Sequence, residues 1–145
     1  MVMGDSEMSG YIDPDREIFA QFKDLPRDEK IHMLNLVELN DTAHYQDGTL
    51  LTGREAYGAY SRESSPVFEK LGGKIVWSGQ FEMMLIGPTD KAWDICFIAE
   101  YPNAEAFIAM VYDPQYREAV KHRQAAVRDS RLIRLTPQET GKGFG

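Results

Sequence analysis

Four stretches of the chain carry the apolar and β-branched residues typical of strands. They cover residues 31–39, 74–87, 93–101 and 130–135. Turn-forming residues flank each stretch, which favours separate strands over one long helix. The second stretch is long for one strand, and Gly79 in its middle predicts a bulge.

Helical periodicity occupies the chain between these strands. Thr52 and Glu55 form a capping box, which predicts a helix that ends at a pair of glycines. A second helical stretch begins after Asn103 and continues, with an interruption at Asp113-Pro114, to about Val127. The element order is therefore β-α-β-β-α-β. This order predicts a ferredoxin-like α+β fold with an antiparallel sheet and two helices on one face.

A shorter helix is expected ahead of the first strand. Asp13 can cap it, Pro14 suits its first turn, and Pro26 stops it. Its apolar stripe contains Leu25 and the three residues by which we expect it to dock: Ile18, Phe19 and Phe22. The sequence thus predicts a disordered N-terminus (1–12), a helical extension (13–30), a ferredoxin-fold domain (31–136) and a flexible tail (137–145).

Both faces of the predicted sheet are apolar. In the second strand stretch, one set of alternating residues faces one way and the next set faces the other: Ile75, Trp77, Phe81 and Met83 against Val76, Met84 and Ile86. Two helices cover one face, so the other must meet a further apolar surface. The sequence therefore predicts a homodimer that forms through the free sheet face.

The sequence resembles the DUF1330 family of bacterial proteins over roughly residues 33–135. The resemblance runs through MLNLVEL, AHYQDG, TGREAYGAY, LGGKIVWSG and WDICFIAEYPNAEAFIAMVYDPQYREAVKHRQAAVRDSRLI. It implies the dimeric α+β barrel superfamily, in agreement with the element order. That superfamily includes cofactor-independent oxygenases, muconolactone-type isomerases and haem-handling enzymes, but a shared fold does not transmit function.

Composition narrows the classes of partner. Sixteen basic and 23 acidic residues give a net charge of −7, which argues against nucleic acid or an anionic membrane as a partner. No stretch approaches the length of a membrane span and no leader pattern is visible, so we expect a cytoplasmic protein. Cys96 is the single cysteine, which excludes an intramolecular disulfide and a CxxC motif.

The sequence offers no metal or cofactor motif. His32 lies in a strand, His44 in a turn and His122 in a helix, without the spacing of a metal-binding motif. The C-terminal GKGFG follows no long strand, as a phosphate-binding loop would. We therefore expect neither a metal nor a cofactor.

The two adjacent residues His122 and Arg123 differ in direction on a helical wheel. Arg123 shares the apolar stripe of its helix, whereas His122 falls roughly 120° from the centre of that stripe and is expected in solvent. An inward guanidinium needs an acceptor, since an unpaired buried charge costs several kcal/mol. The commoner acceptor is a carboxylate, and the alternative is an acidic ligand. The candidate carboxylates are Asp94, Glu82 and Glu100.

Four further residues complete a candidate ligand-binding site. Asn35 lies on the first strand, where its amide must bond either backbone or a ligand. Tyr60 and Trp77 belong more often to a core, although their polar ends can line a cleft. Asp94 either reaches water near a strand end or joins the site. The predicted site is therefore Arg123, Asn35, Tyr60, Asp94 and Trp77.

Two classes of function remain open. The first is a homodimer that binds a small acidic or aromatic metabolite between helices and sheet. For an enzyme of this kind, the resemblance implies cofactor-independent oxidation or isomerisation. The second is a structural or regulatory homodimer without a ligand. A concave pocket with convergent polar side chains favours the first, and a filled apolar core favours the second.

Overall fold

Four helices and four strands make up the part of the chain that the computed structural model describes, residues 10–141, 143 and 144. No helix in this part is long and apolar enough to cross a membrane. The elements in chain order are α1 (Arg16–Asp24), β1 (Ile31–Leu39), α2 (Gly53–Lys70), β2 (Lys74–Gly79), β3 (Ile95–Tyr101), α3 (Ala104–Tyr112), α4 (Pro114–Ala126) and β4 (Val127–Leu135).

The strands form one antiparallel sheet in the order β2-β3-β1-β4. Helices α2, α3 and α4 pack over one side, which we call the covered face, and leave the open face on the other side. In the centre of the sheet, Asn35 on β1 stands opposite Phe97 on β3 and Leu132 on β4. The predicted ferredoxin-like fold with an added N-terminal helix is therefore confirmed.

The predicted caps begin α2, α3 and α4. Thr52 Oγ1 accepts a hydrogen bond from Glu55 N at 3.0 Å, and Glu55 Oε1 accepts one from Thr52 N at 2.9 Å. Asn103 caps α3, and Asp113 caps α4 with Pro114 in its first turn. These side chains satisfy backbone donors that the first turn of a helix leaves free.

Three strand boundaries and the predicted bulge differ from the prediction. The register shift in β2 lies between Ile75 and Trp77 rather than at Gly79. β3 begins at Ile95, two residues after the predicted residue 93. β2 ends at Gly79 instead of residue 87, because Gly79 pairs with Cys96, which is only one residue from the start of β3. Beyond that point β2 has no partner, and residues 80–94 form a loop. β4 starts at Val127, before the predicted residue 130, since Val127 pairs with Leu39.

The chain ahead of α1 is bonded to the domain. We call residues 10–14 the N-terminal segment. Tyr11 N donates to Asp129 Oδ1 at 2.8 Å, and Ser130 Oγ donates to the Tyr11 carbonyl at 2.6 Å. Gly10 lies so close to the Arg128 carbonyl that a Cβ has no room there. Residues 1–9 of the stretch predicted to be disordered lie outside the described residues.

Helix α1 begins two residues later than predicted. Its cap is Asp15, whose Oδ1 accepts from the backbone N–H groups of Glu17 and Ile18 at 2.8 and 3.2 Å. The predicted cap, Asp13, is wrong because it belongs to the N-terminal segment, where Gln124 Nε2 donates to its carboxylate at 3.2 Å.

Two phenylalanines dock α1 on the domain. The Phe22 ring lies 5.1 Å from the Phe107 ring and 4.8 Å from the Arg134 guanidinium carbon. Phe19 lies 6.2 Å from the Tyr112 ring. Ile18, which we predicted to dock with them, is 59% exposed and points away from the core. Docking therefore depends on the two aromatic rings.

The buried core consists of two separate clusters. Met33 belongs to the first cluster, with Val67, Tyr101 and Phe107. Val37 belongs to the second, with Tyr57 and Ala126. Met33 and Val37 share the covered face of β1, so the strand passes through both clusters with Asn35 between them.

The open face carries an apolar centre between charged ends. The register places seven residues on it: Leu34, Leu36, Trp77, Cys96, Ile98, Ile133 and Leu135. At one end His32 Nε2 lies 2.8 Å from Glu100 Oε2. At the other end Lys91 Nζ lies 3.0 Å from Glu38 Oε1 and 2.8 Å from Asp129 Oδ2.

Asp129 ties three segments together. Its carboxylate accepts from Tyr11 N, Lys91 Nζ and Arg131 Nη1, each at 2.8 Å, although the residue is only 6% exposed. Burial raises the pKa of this carboxyl, but the hydrogen bonds from Lys91, Tyr11 and Arg131 outweigh it and lower the pKa to about 2.

We predict that Phe22→Ala lowers the free energy of unfolding by about 2 kcal/mol, because it removes the ring that packs between Phe107 and Arg134. Ile18→Ala on the same helix is the control and is expected within about 0.5 kcal/mol of the parent chain. Chemical denaturation measures both. Equal losses in the two variants would show that α1 does not dock through its aromatic rings.

We predict that Asp129→Asn destabilises the protein by about 2 kcal/mol at pH 7 and that this difference disappears in acid. The folded-state pKa lies below the unfolded value, so the stabilisation is complete above about pH 4 and is lost as the pH falls towards 2. Denaturation curves between pH 2 and 7 measure the effect, with exposed Asp28→Asn as the control. A difference that is independent of pH would contradict this account.

Candidate functional site

A cavity of about 870 Å³ lies between the covered face and the helices. We call it the central cavity. Asn35, Phe97 and Leu132 of the sheet form its floor. Its volume falls in the range of small-molecule sites, about 300–1,000 Å³. It separates the two core clusters, so the helices do not fill the space over the middle of the sheet.

Asn35 accounts for the position of this gap. On the same face of β1, Met33 is 3% exposed and Val37 is 1% exposed, whereas Asn35 is half-buried and lines the cavity. Asn35 Nδ2 donates to the Met33 carbonyl at 3.0 Å. Within the described part of the chain, its Oδ1 has no hydrogen-bond donor, so an acceptor remains available from the cavity.

Tyrosines from two helices line one wall. Tyr60 Oη on α2 lies 2.8 Å from Tyr116 Oη on α4, and the rings of Tyr57 and Tyr60 are 5.3 Å apart. Burial raises the pKa of Tyr60, against an opposing effect of the nearby Arg123 charge. These hydroxyls therefore stay protonated at neutral pH and can donate hydrogen bonds.

Arg123 faces the cavity from α4, as its wheel position predicts. Its Nη1 donates to the Ile12 carbonyl, and its Nη2 donates to Ser130 Oγ at 3.2 Å. Both acceptors are neutral. Among the described residues, Arg123 forms no ion pair, although it is half-buried.

The predicted ion pair of Arg123 with a carboxylate of its own subunit is therefore wrong. Asp94 Oδ2 instead accepts from Leu39 N at 2.8 Å, and Glu100 pairs with His32 on the open face. Glu82 is exposed in the loop that follows β2. Because β2 ends at Gly79, Glu82 lies in a loop rather than in the sheet. Glu100 points to the open face, on the side of the sheet away from α4.

The helical wheel predicts that His122 lies free in solvent, but in the structure two side chains contact it. Its Nδ1 lies 2.6 Å from Tyr45 Oη, and its Nε2 lies 2.9 Å from Glu63 Oε2. Helix α2 and the loop after β1 pack against this flank of α4, so a position away from the sheet is still covered. The three side chains lie outside the central cavity.

The structure brings three of the five predicted site residues together: Arg123, Asn35 and Tyr60. Asp94 lines a smaller cavity of about 480 Å³ beside the end of β2. Trp77 lies on the open face because the shift after Ile75 puts the two residues on opposite sides of the sheet.

Several cavity residues were missed by sequence reasoning. Tyr116 lies on the same helical stripe as Arg123, which was a usable signal. Asp13 and Pro14 also line the cavity, where the N-terminal segment crosses its β4 side. Nothing local in the sequence indicates that this segment runs back over the sheet. Within the described residues, no group of three or more histidine, cysteine or acidic side chains is placed to hold a metal ion.

Comparison with known proteins identifies relatives of this chain. The model of DUF1330, a domain of unknown function, matches residues 49–135. The crystal structure of methylated RPA0582 protein is 64% identical, with a TM-score of 0.90, and the match covers 93% of this chain and 100% of that one. The RPA0582 protein of unknown function from Rhodopseudomonas palustris is 63% identical, with a TM-score of 0.87 and coverage of 90% and 99%.

A more distant structure shares the fold. SnoaB, a cofactor-independent oxygenase from Streptomyces nogalater, is 17% identical with a TM-score of 0.50, and the match covers 79% of this chain and 99% of that one. At this level of identity the likeness shows the fold alone. No curated protein matches the sequence.

Proposed function

The chain belongs to the DUF1330 family, and we propose that it binds a small aromatic acid in the central cavity. One observation carries this proposal: the half-buried guanidinium of Arg123 lines a large cavity and has only neutral acceptors among the described residues. A carboxylate would supply the negative charge that this cation lacks. The planar fork of arginine suits a carboxylate, which can accept two parallel hydrogen bonds.

The walls of the cavity favour an aromatic ligand. The rings of Phe97, Tyr57 and Tyr60 line the same cavity as Arg123. Aromatic side chains bind planar rings through stacked or edge-to-face contacts. An aliphatic acid of similar charge would leave much of this surface unpaired.

The tyrosines act in this proposal as donors rather than as bases. Burial raises the pKa of Tyr57, Tyr60 and Tyr116, so none of them accepts a proton from a ligand at neutral pH. The proposed activity is therefore recognition of the acid. The alternative, a homodimer without a ligand, does not account for an open cavity with convergent polar groups.

We also propose that two copies associate through the open face. Its apolar centre is exposed in the single chain, with Ile133, Leu135 and Trp77 each at least two-fifths accessible. A contiguous apolar patch of this kind is typical of a protein interface. A second copy brings the same flat surface and can associate about a two-fold axis. The central cavity lies on the other side of the sheet, so association leaves the site accessible.

We predict that Arg123→Met weakens benzoate binding by about ten- to a hundredfold, the effect of losing hydrogen bonds to a charged group. The variant should still fold, because it leaves no carboxylate of this chain unpaired. Calorimetric titration measures the dissociation constant, and a thermal melt checks the fold. Benzamide, the neutral analogue of benzoate, should bind the parent chain more weakly than benzoate does. The Arg123→Met variant should bind benzamide and benzoate with equal affinity.

The control for this experiment is Arg62→Met, which removes an exposed arginine of α2 that does not line the cavity. It should bind benzoate like the parent chain. Equal affinity of the parent chain for benzoate and benzamide would contradict the proposal, as would the absence of benzoate binding.

We predict that the parent chain is a dimer in solution and that Ile133→Glu makes it a monomer, because the new charge would be buried without a partner. Gel filtration with light scattering measures the mass. Ile133 is 42% exposed on the open face, and Leu50, at 86% in a loop, provides the control Leu50→Glu. A monomeric parent chain at micromolar concentration would contradict the proposed association.

A further inference from the structure

An acidic side chain lines the central cavity close to Arg123. Asp13 belongs to the N-terminal segment and directly follows Ile12, whose carbonyl accepts from Arg123 Nη1. Gln124 Nε2 donates to Asp13 Oδ2 at 3.2 Å, but this amide is neutral. Among the described residues, no lysine, arginine or histidine forms an ion pair with Asp13. Asp13 and Arg123 are therefore an anion and a cation of one cavity, and neither has an oppositely charged partner in that part of the chain.

The peptide unit between Ile12 and Asp13 limits the distance between the two charges. The hydrogen bond to the Ile12 carbonyl, the step from that oxygen to the Asp13 Cα and the aspartate side chain each span roughly 3 Å. Arg123 Nη1 therefore lies no more than about 9 Å from the Asp13 carboxylate oxygens. The two groups form no ion pair, so they are also more than about 4 Å apart. A small ligand group has room to bind both.

The charged end of an α-amino acid fits this interval. Its ammonium nitrogen lies roughly 3 Å from its carboxylate oxygens, and a hydrogen bond of about 3 Å at each end lets it join groups up to about 9 Å apart. The carboxylate accepts from the guanidinium of Arg123, and the ammonium group donates to the carboxylate of Asp13. A dicarboxylic acid would instead bring a second negative charge towards Asp13.

The charge of Asp13 opposes an acid that has no ammonium group. A carboxylate bound at Arg123 adds a negative charge near Asp13, and like charges repel each other. An ammonium group on the atom next to that carboxylate reverses the sign of the interaction with Asp13. The aspartate therefore favours an amino acid over the matching simple acid.

We infer that the ligand of the central cavity is an aromatic α-amino acid, whose carboxylate binds Arg123 and whose ammonium group binds Asp13. This inference rests on the proposed function, because Arg123 must hold the carboxylate. The aromatic side chain contacts the rings of Phe97 and Tyr57, which line the same cavity. The N-terminal segment thus supplies a specificity residue to a site that otherwise consists of helices and sheet.

Three probes test the inference on the unmodified chain. Calorimetric titration compares phenylalanine with 3-phenylpropionate, which lacks the ammonium group, and with 3-phenyllactate, which has a neutral hydroxyl in its place. The two chiral probes are titrated as separate enantiomers, and the tighter one is compared. We expect phenylalanine to bind about three- to tenfold more tightly than 3-phenylpropionate, the effect of an ion pair with an exposed carboxylate. The neutral 3-phenyllactate should bind more weakly than phenylalanine.

Asp13→Asn should remove the preference by moving the two affinities in opposite directions. Phenylalanine binds more weakly because its ammonium group loses an anion, and 3-phenylpropionate binds more tightly because a repelling charge is gone. Asparagine keeps an oxygen that can accept from Gln124, so the N-terminal segment stays in place. The matched control is Asp28→Asn, since Asp28 is exposed and does not line the cavity. It should keep the preference, and a thermal melt checks the fold of both variants.

The outcomes separate this inference from the function on which it rests. If the unmodified chain binds benzoate but binds phenylalanine no more tightly than 3-phenylpropionate, the inference is overturned and acid binding stays in place. Equal binding of phenylalanine and 3-phenyllactate would overturn the requirement for an ammonium group. A preference that survives in Asp13→Asn would overturn the role of Asp13. If neither benzoate nor any of the three probes binds, the proposed function fails as well.

Discussion

A single polar side chain in the middle of the covered face prevents the core of this protein from closing. Asn35 stands between two fully buried residues of β1, and a cluster of apolar side chains forms around each of them rather than around all three. Burying an amide against apolar groups costs free energy unless each of its polar atoms is bonded. The helices accordingly pack beyond Asn35 on either side, and the space above it remains open.

A divided core has to be stabilised by contacts elsewhere. Helix α1 adds Phe19 and Phe22 to the first cluster, and the N-terminal segment bonds to β4 and α4 beside the second. Asp129 joins that segment to Lys91 in the long loop. The residues ahead of β1 thus belong to the architecture of the site, although they precede the ferredoxin-like unit in the chain.

Local patterns were sufficient to predict the element order, the caps of α2, α3 and α4, and the inward direction of Arg123. They did not predict the properties that depend on a partner strand. Trp77 changes face because of a register shift that its own sequence does not reveal, and β2 stops where β3 no longer pairs with it. His122 was assigned to solvent from one helix, but its surroundings come from α2 and the loop at Tyr45. Tertiary packing decides each of these cases.

The backbone of Tyr11 is hydrogen-bonded to one residue from each face of the sheet. Consecutive residues of a strand point to opposite faces, and in β4 Asp129 points to the open face while Ser130 points to the covered one. Both bind Tyr11: Asp129 accepts from its N–H, and Ser130 donates to its carbonyl. Ser130 also accepts from Arg123. The N-terminal segment is therefore bonded at once to the charged rim of the open face and to the cation of the central cavity. Because these bonds share one short stretch of backbone, a shift of Tyr11 changes the surroundings of Arg123 and of Asp129 together.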